Sequence, residues 1–520
     1  MNSDSGQLLD PNPTRRSYGR IVFGMDLRSL AGLRILFGCC LLIDLWMRWG
    51  HLQAMYSDAG IVPLGMLNEY LRFHARWFNW SFHALSGGTG WQVFLFGVAA
   101  VVYTMFLVGY RTRLASIAAW ILLVSVQLRN PLILHSGDTL MRIGLFWMIF
   151  LPLGAVWSLD SRRRQATGVD TVPDREFASP ATAGLMLLMF SLYFFAGLAK
   201  MNEIWWQGLA MEYVSRLDIY QTSIGQWVRQ FPLVLKWITW STLVIEVVLP
   251  FLLFSPWWNR RLRVLLIFIF AGFHLGIALT MNIGLFQYVA IGMWLALVPG
   301  AFWDWLGKWM AGFRFPLQIA PAGPPLPWSG RVAWGVSLFF AIYFLLWNIA
   351  SIERASLLKY AMPRPLELVG RSLNLRQEFR MFDVPPTISP WFVYEARLAD
   401  GTVVDIMRNA PVSHERPEAV LDTIPGHHWR RLHRNLVREN VGMDPFRQQT
   451  ADFLKERWNR THPEHQQIVS YKVTVYMDEI VPFEEIPSGQ IVVVWKQVGT
   501  EQDTFNELLQ RMKQKGEILP

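Results

Sequence analysis

Long apolar segments recur along the first 350 residues of this 520-residue chain. A membrane-spanning helix needs about 20 mostly apolar residues. Lipid leaves no partner for unpaired backbone groups, so such segments cross as helices. About nine segments meet this requirement, namely residues 28–49, 90–109, 112–128, 139–157, 180–200, 233–255, 262–281, 284–304 and 330–350. The pattern predicts an all-α polytopic membrane domain with about nine transmembrane helices.

The distribution of charge predicts how the chain is oriented in the membrane. Residues 351–520 contain 22 Lys+Arg and 23 Asp+Glu, which leaves 26 and 16 for the apolar part. With nine spans, the basic loops all fall on one side, and that side is the cytoplasm. We therefore expect a multi-pass protein of the cell (inner) membrane with a cytoplasmic N-terminus. Basic loops flanking the spans explain the positive charge better than a nucleic-acid partner does.

The sequence pattern of the last 170 residues predicts a separate domain outside the membrane. Residues 391–398 and 402–407 flank Ala399-Asp400-Gly401, a hairpin signal. The remaining expected elements are a helix at 447–461, strands at 469–477 and 490–497, and a polar helix at 503–514. We therefore divide the chain into a cytoplasmic leader (1–27), a transmembrane domain (28–350) and an extracytoplasmic α+β domain (351–520). A Pro-rich linker at 320–327 precedes the last span of the transmembrane domain.

Several ionisable residues lie within or beside the predicted spans, where such groups are expensive and often functional. Asp44 precedes Arg48 by four residues, so it either forms a local pair or faces a cavity as a free carboxylate. The same spacing relates Asp138 to Arg142, which either form a structural ion pair or have a catalytic role. Arg129, followed by Asn130, either binds an anionic or carbonyl group or anchors the helix at the interface.

Three further residues have alternatives of the same kind. Lys200 closes the fifth segment and is either a snorkelling anchor or a base in an apolar site. His274 lies deep in the seventh segment, as a hydrogen-bonded structural group or a catalyst. Glu246 has no partner on its own helix, which favours an inter-helix or functional role. With the predicted topology, all these groups lie between mid-membrane and the outer face, and we hypothesise one cavity open to the outside.

Two stretches containing these residues resemble the vitamin K-dependent γ-glutamyl carboxylases. Residues 193–213 read YFFAGLAKMNEIWWQGLAMEY, similar to the family segment Tyr-Phe-x-Ala-Gly-x-x-Lys. Residues 273–289 read FHLGIALTMNIGLFQYV, similar to a second family segment. Other motifs resemble the bacterial branch of the superfamily, the horizontally transferred transmembrane (HTTM) domain proteins. They are Tyr56–Gly60, Gly109–Arg113, Arg129–Pro131, Gly137-Asp138 before Arg142, and Met381–Pro386 followed by Ala399–Thr402.

The resemblance implies a reaction and roles for these residues. In the carboxylases a Lys deprotonates vitamin K hydroquinone, and oxygen converts the quinol to an epoxide through a strongly basic alkoxide. That base removes a γ-proton from a glutamyl side chain, and CO2 adds to the carbanion. The resemblance makes Lys200 the base, His274 a further catalytic candidate, a reduced vitamin K-type quinol the lipid-soluble cosubstrate and a peptide the second substrate. The candidate substrate-binding residues are Arg129, Asn130, Asp138, Arg142, Asp44 and Glu246, and no metal site is predicted.

The sequence also departs from the carboxylase pattern. Where the carboxylases have an Asn-His pair, this chain reads His135-Ser136-Gly137-Asp138. The large propeptide-binding region and the outer cysteine pair of the animal enzymes are absent, since the only cysteines are Cys39 and Cys40. A lyase-like enzyme therefore competes with a non-catalytic membrane module that binds a lipid or quinone, or assists maturation or export of a peptide partner. A transporter is a weaker third reading, because no internal repeat is evident.

Overall fold

The computed structural model describes residues 18–73, 80–166, 175–309, 331–350, 362–377, 379, 381–437, 443–482 and 490–498. Most of the predicted leader, the 320–327 linker and the expected helix at 503–514 lie outside the described residues.

Helices dominate the first 350 residues. The α-helices of this part are α1 (Tyr18–Phe23), α2 (Leu27–Trp49), α3 (Leu52–Tyr56), α4 (Leu64–Phe73), α5 (Thr89–Val108), α6 (Thr112–Arg129), α7 (Ser136–Met148), α8 (Leu159–Ala166), α9 (Pro180–Ala199), α10 (Glu203–Trp206), α11 (Ala210–Ser215), α12 (Ser223–Val228), α13 (Pro232–Val247), α14 (Asn259–Thr280), α15 (Phe286–Trp294), α16 (Gly300–Trp309) and α17 (Arg331–Ala350). Short 3-10 turns occur at Phe82–Ala84, Pro131–Ile133, Leu249–Phe254 and Leu295–Leu297. A two-residue strand pair, β1 (Met25–Asp26) with β2 (Glu176–Phe177), ties the start of α2 to the start of α9.

Seven of these elements are long and apolar enough to cross a membrane, or eight if one bent pair counts as a single span. The seven are α2, α5, α6, α9, α13 with its 3-10 extension, α14 and α17. The bent pair is Phe286–Leu297 and Gly300–Trp309, which meet at 94°. Pro299 lies at the bend, and a proline cannot continue the hydrogen-bond ladder of a helix. The predicted span at 284–304 is therefore two helices at nearly a right angle and not one straight helix.

The predicted span at 139–157 also differs from expectation, because α7 has only 13 residues. Pro152 and Gly154 follow it, and both disfavour helix. Gln127, near the end of α6, donates to the carbonyl of Asp138. The Asp160 carboxylate accepts from the backbone of Thr112 at the start of α6. The chain from Asp138 to Asp160 therefore runs antiparallel along the whole of α6, as half helix and half irregular backbone.

Exposed tryptophans form two groups at opposite ends of the bundle. One contains Trp46, Trp49, Trp206, Trp227 and Trp237, and the other contains Trp257, Trp258, Trp305, Trp309 and Trp334. Trp237 and Trp257 lie at the two ends of the same span, about 30 Å apart along a helix. Tryptophan is enriched at both membrane interfaces, and the hydrocarbon core is about 30 Å thick. The two groups match the aromatic belts of a membrane protein.

The C-terminal part contains the expected mixture of strands and helices. Its sheet is antiparallel with the order β5-β4-β3-β6-β7. The strands are β3 (Ile388–Leu398), β4 (Val403–Asp405), β5 (Ala410–Pro411), β6 (Ile468–Glu479) and β7 (Gln490–Val498), and the helices are α18 (Arg364–Ser372), α19 (Gly426–Val437) and α20 (Asp444–Thr461), with 3-10 turns at Val420–Thr423 and Glu464–Gln466. The predicted hairpin is confirmed: Gly401, with φ of 86°, closes the turn between β3 and β4. The helix expected at 447–461 and the strands at 469–477 and 490–497 are also confirmed.

The C-terminal part rests directly on one end of the helical bundle. Arg431 and Asn435 of α19 donate to the carbonyls of Leu134 and Leu132, between α6 and α7. The Trp205 indole, just after α9, donates to the carbonyl of Phe382 at 3.0 Å. Buried apolar side chains from both parts form one continuous core. The C-terminal part therefore fixes the ends of α6, α7 and α9, where most of the predicted site residues lie.

Candidate functional site

Lys200 and Glu246 form an ion pair between two neighbouring helices. The Lys200 Nζ lies 2.7 Å from the Glu246 Oε2, and their side chains are 3% and 6% exposed. Lys200 follows the last residue of α9, and its ammonium also lies 3.4 Å from the carbonyl of Ala196, where a cation complements the helix dipole. At Gly197 a Cβ would lie 2.7 Å from Val247 and 3.0 Å from the Glu246 Cβ. The glycine therefore allows the close approach of α9 and α13 that lets Glu246 reach Lys200.

His274 forms a hydrogen bond with Tyr193, which lies two helical turns before Lys200 on α9. Its Nε2 lies 2.9 Å from the Tyr193 hydroxyl, which also accepts from the Trp294 indole at 2.9 Å. Tyr193 precedes Lys200 by seven residues, so both lie on one face of α9, about 10 Å apart along its axis. The Nδ1 of His274 is buried and has no hydrogen-bond partner among the described residues. Phe270 stacks on Trp294 and lines this group with an aromatic face.

Asp44 and Asp138 meet at one arginine that links α2 to α7. Arg48 donates to Asp44 at 2.7 Å, to the Tyr56 hydroxyl at 2.7 Å and to Asp138. The local Asp44–Arg48 pair expected from the spacing is confirmed. All four side chains are buried.

The local pair between Asp138 and Arg142, one of the two readings from their spacing, does not form. Asp138 instead uses one oxygen for Arg48 and the other to cap α7, by accepting from the backbone N–H of His135 at 2.8 Å. Arg142 donates to the Gln127 side chain, and its Nε has no hydrogen-bond partner among the described residues. Both carboxylate oxygens of Asp138 therefore have hydrogen-bond partners other than Arg142.

Arg129 and Asn130 hold the segment that follows α3. The Arg129 guanidinium donates to the carbonyl of Val62 at 2.8 Å and lies 3.7 Å from the Asp58 carboxylate. Asn130 donates to the carbonyl of Met55 at 2.9 Å and caps the following 3-10 turn. Both side chains are fully buried, so Arg129 is not an interface anchor with its charge in water. Each has a protein partner, which gives it a structural role whatever else it does.

The candidate residues thus fall into separate groups rather than around one open chamber. Lys200, Glu246 and His274 lie along α9, α13 and α14, while Asp44, Asp138 and Arg142 lie along α2 and α7. The segment 281–286 passes between the two groups. Its Phe286 ring contacts His274, with centroids 5.5 Å apart, and its backbone lies against Gly137.

Several residues near the group along α2 and α7 were not identified as site candidates in the sequence analysis. Arg48 was considered only as a local partner of Asp44, and Tyr56 only as the first residue of a family motif. His427 lies 5.3 Å, ring to ring, from His135. Only the His427-His428 doublet was visible as a sequence signal, and its neighbours lie about 290 residues away along the chain.

A cavity of about 250 Å³ lies elsewhere, between the bundle and the C-terminal sheet. Arg416 of the C-terminal part pairs there with Asp218, which also binds Arg229 at 3.0 Å. The cavity is lined by Arg216, Asp218, Arg229, Ser389, Arg416, Pro417, Glu418, Asp478, Glu479, Ile480 and Val481. None of the eight predicted site residues is among them. The described residues contain no group of three or more His, Cys, Asp or Glu side chains placed to hold a metal ion.

Comparison with known proteins gives one match. The family model of the HTTM domain matches residues 24–303, which includes every predicted site residue. No curated protein and no solved structure matches the chain significantly. The matched region begins at the start of the bundle and ends within α16, so α17 and the C-terminal part lie beyond it. Because the match covers more than half of the 520 residues, the chain belongs to the HTTM domain family.

Proposed function

We propose that this HTTM protein is a carboxylase-like membrane enzyme in which Lys200 acts as general base on a lipid-soluble quinol. The observation that carries the proposal is the buried pair of Lys200 and Glu246, at 2.7 Å, inside the bundle. Ionisable groups at this depth are costly and usually functional. The pair lies at the position where the resemblance to the carboxylases places the catalytic lysine.

The partner of Lys200 gives the proposed base a way to lose its proton. An ammonium group has no lone pair, so Lys200 cannot act as a base while it is protonated. Transfer of that proton to Glu246 across the 2.7 Å contact leaves a neutral amine beside a neutral carboxylic acid. Low surrounding polarity disfavours separated charges and so favours such a neutral pair. Glu246 is in this view the proton acceptor that prepares Lys200.

The surroundings of His274 fit a hydroxylated aromatic ring. Phe270 and Trp294 provide aromatic surface, and the unpartnered Nδ1 of His274 offers one hydrogen-bonding position. A quinol has both an aromatic face and a hydroxyl that can bind such a nitrogen. We propose that the ring lies between the His274 group and Lys200, because Tyr193 of that group and Lys200 lie on one face of α9. Substrate contact by Asp44, Arg129, Asn130, Asp138 and Arg142 remains a prediction.

The proposed orientation places the reacting end of the bundle outside the cell. Asp138–Asp160 counts as a ninth pass in this proposal, because it runs along the whole of α6. Nine passes put the C-terminal part opposite the N-terminus. The basic loops then face the cytoplasm, as the charge rule requires, and Lys200 lies on the side of the outer leaflet.

The direct test is epoxide formation by the purified, detergent-solubilised protein supplied with reduced vitamin K and oxygen. We expect epoxide from the unaltered protein and none from Lys200→Ala or Lys200→Arg, because arginine does not deprotonate. Lys236→Ala is the matched control, since Lys236 is an exposed lysine on α13. No epoxide from a folded, unaltered protein, or equal activity in Lys200→Arg, contradicts the proposal.

A non-catalytic module is the second candidate. It is favoured by one observation: the described cavity lies at the junction with the C-terminal part and not beside Lys200. In that case the Lys200–Glu246 pair is purely structural, and a lipid, quinone or peptide partner binds without being changed. Binding of a quinone by the unaltered protein without epoxide formation, and equal binding by Lys200→Ala, favours this candidate.

A further inference from the structure

Four of the 11 histidines of the chain meet where α19 rests on the bundle. His427 and His428 begin α19, His135 precedes α7, and His51 follows α2. The rings of His427 and His428 lie 3.8 Å apart, and His135 lies 5.3 Å from His427. His51 lies 6.4 Å from His428. The rings form a continuous row across the junction between the two parts of the protein.

The two central rings of the row, His427 and His428, are buried, whereas His51 and His135 are partly exposed. His427 is 5% and His428 1% exposed, and the Nε2 of each has no hydrogen-bond partner among the described residues. The Nδ1 of His135 accepts from the backbone N–H of Gly137 at 3.0 Å. The Nδ1 of His51 accepts from the Trp429 indole at 3.3 Å. A nitrogen that accepts carries no proton, so protonation of either ring would break the contact that positions it.

The charges around the row act in both directions: Arg48 opposes protonation of His428, whereas Asp138, 3.5 Å from the His135 Nε2, favours protonation of His135. The groups that face it from α2, α7, α19 and α20 are the cations Arg48, Arg430, Arg431 and Arg457 and the anions Asp44 and Asp138. Both anions are already bound to Arg48. Burial, and then the neighbouring His135, lower the pKa of His427 to about 3. Burial, and then His427, lower the pKa of His428 well below its ordinary value.

We propose that this row is an acid-sensitive joint that holds the C-terminal part on the bundle only while its histidines are neutral. Protonation of His427 or His428 places a further cation in a buried contact beside Arg48, where the nearest carboxylates, Asp44 and Asp138, already pair with that arginine. Loosening of α19 then opens the N-terminal end of α7, with Asp138 and Arg48, to water from the C-terminal side. The inference is independent of any catalytic activity of Lys200.

The sign and size of the pH effect follow from linkage. In the loosened state each histidine has its ordinary pKa of about 6.5, so below that pH the loosened state binds more protons than the docked state. Docking is therefore complete above about pH 6.5 and weakens as pH falls towards 3. Between pH 7.5 and 5.5 each such histidine shifts the docking equilibrium about 10-fold, and the two together about 100-fold.

Hydrogen–deuterium exchange of the full chain in detergent micelles, at pH 7.5 and 5.5, tests the joint. Exchange times are scaled for the intrinsic pH dependence of amide exchange. Peptides from 426–437 and 131–140 should lose protection at pH 5.5, while peptides from β3 and β6 serve as an internal reference. His427→Gln and His428→Gln should each remove about 10-fold of the pH dependence, and together most of it. His465→Gln, at an exposed histidine of the same part, should behave as the unaltered protein.

Equal protection at the two pH values in the unaltered protein overturns the proposal, as does undiminished pH dependence in the double variant. If the double variant does not fold, the location of the effect decides. Loss of protection confined to α19 and the start of α7 supports the joint. Loss spread evenly over the C-terminal sheet overturns it, because unfolding of the whole domain would then be the cause.

Discussion

The ammonium of Lys200 and the carboxylate of Glu246 join α9 to α13 at 2.7 Å, and both side chains are almost completely buried. Removing one partner leaves the other as an unpaired buried charge, a change that costs about 3–5 kcal/mol. A loss of activity in a single variant is therefore ambiguous, because destabilisation alone can produce it. Exchanging the two charges separates the structural role from the catalytic one.

We expect Lys200→Glu alone to destabilise the protein strongly, because it places two carboxylates side by side. Adding Glu246→Lys should recover most of that loss, since the reversed pair restores neutrality. Epoxide formation should stay absent in the double variant, because the amine then projects from α13 instead of α9. Thermal unfolding in detergent, followed by helix circular dichroism, measures the first effect, and the epoxide assay measures the second. Recovery of both stability and activity would argue against a positioned base.

Arg48 depends on two carboxylates from different helices, and this leads to the second prediction. Asp138→Asn removes one of them together with part of the cap of α7, so we expect a loss of about 3 kcal/mol. Asp444→Asn is the matched control, because its carboxylate is 74% exposed and pairs only at the surface with Arg447. That change should cost less than about 1 kcal/mol. Equal midpoints for both variants in detergent thermal unfolding would mean that the Arg48 network contributes little.

The sequence could predict the spans because apolar length alone determines where a helix can cross a membrane. It could also predict the Asp44–Arg48 pair, since four residues on a helix bring two side chains together whatever surrounds them. The partner of Asp138 could not be found in this way. Its choice between Arg142 and Arg48 depends on where α2 lies, which no local pattern encodes. The same holds for Glu246, whose partner lies 46 residues earlier in the chain.

The predicted helix boundaries were wrong where helix-breaking residues lie inside an apolar segment. The segment 139–157 has the composition of a span, yet Pro152 and Gly154 end the regular structure early. The row of histidines was missed for another reason. Each ring taken alone is an ordinary buried or partly buried histidine, and only the docking of α19 on the bundle assembles the row.

Gly284 lies beside the histidine row in the left-handed region, with φ of 84°. A Cβ there would lie 2.9 Å from the His427 ring. Gly401 has φ of 86° but nothing within 4 Å of its Cβ position. Gly401→Ala should therefore show only the backbone strain of about 1–2 kcal/mol, whereas Gly284→Ala should show that strain plus displacement of His427. We expect Gly284→Ala alone to increase hydrogen exchange of 426–437 at pH 7.5. Similar exchange of this segment in both variants would mean that His427 moves aside freely.

The contact between α2 and α5 provides a prediction about assembly of the bundle itself. A Cβ at Gly38 would lie 2.8 Å from the Leu107 Cα, so the two backbones touch there, whereas a Cβ at Gly97 of α5 meets nothing within 4 Å. Alanine is the better helix former by about 1 kcal/mol, so Gly97→Ala should leave stability unchanged or raise it slightly. Gly38→Ala gains the same propensity but must separate two helices whose packing depends on small residues. Overpacking of this kind costs about 1–3 kcal/mol. We therefore expect a lower midpoint for Gly38→Ala in detergent thermal unfolding, and equal midpoints for the two variants would show that α2 and α5 are not held at backbone contact.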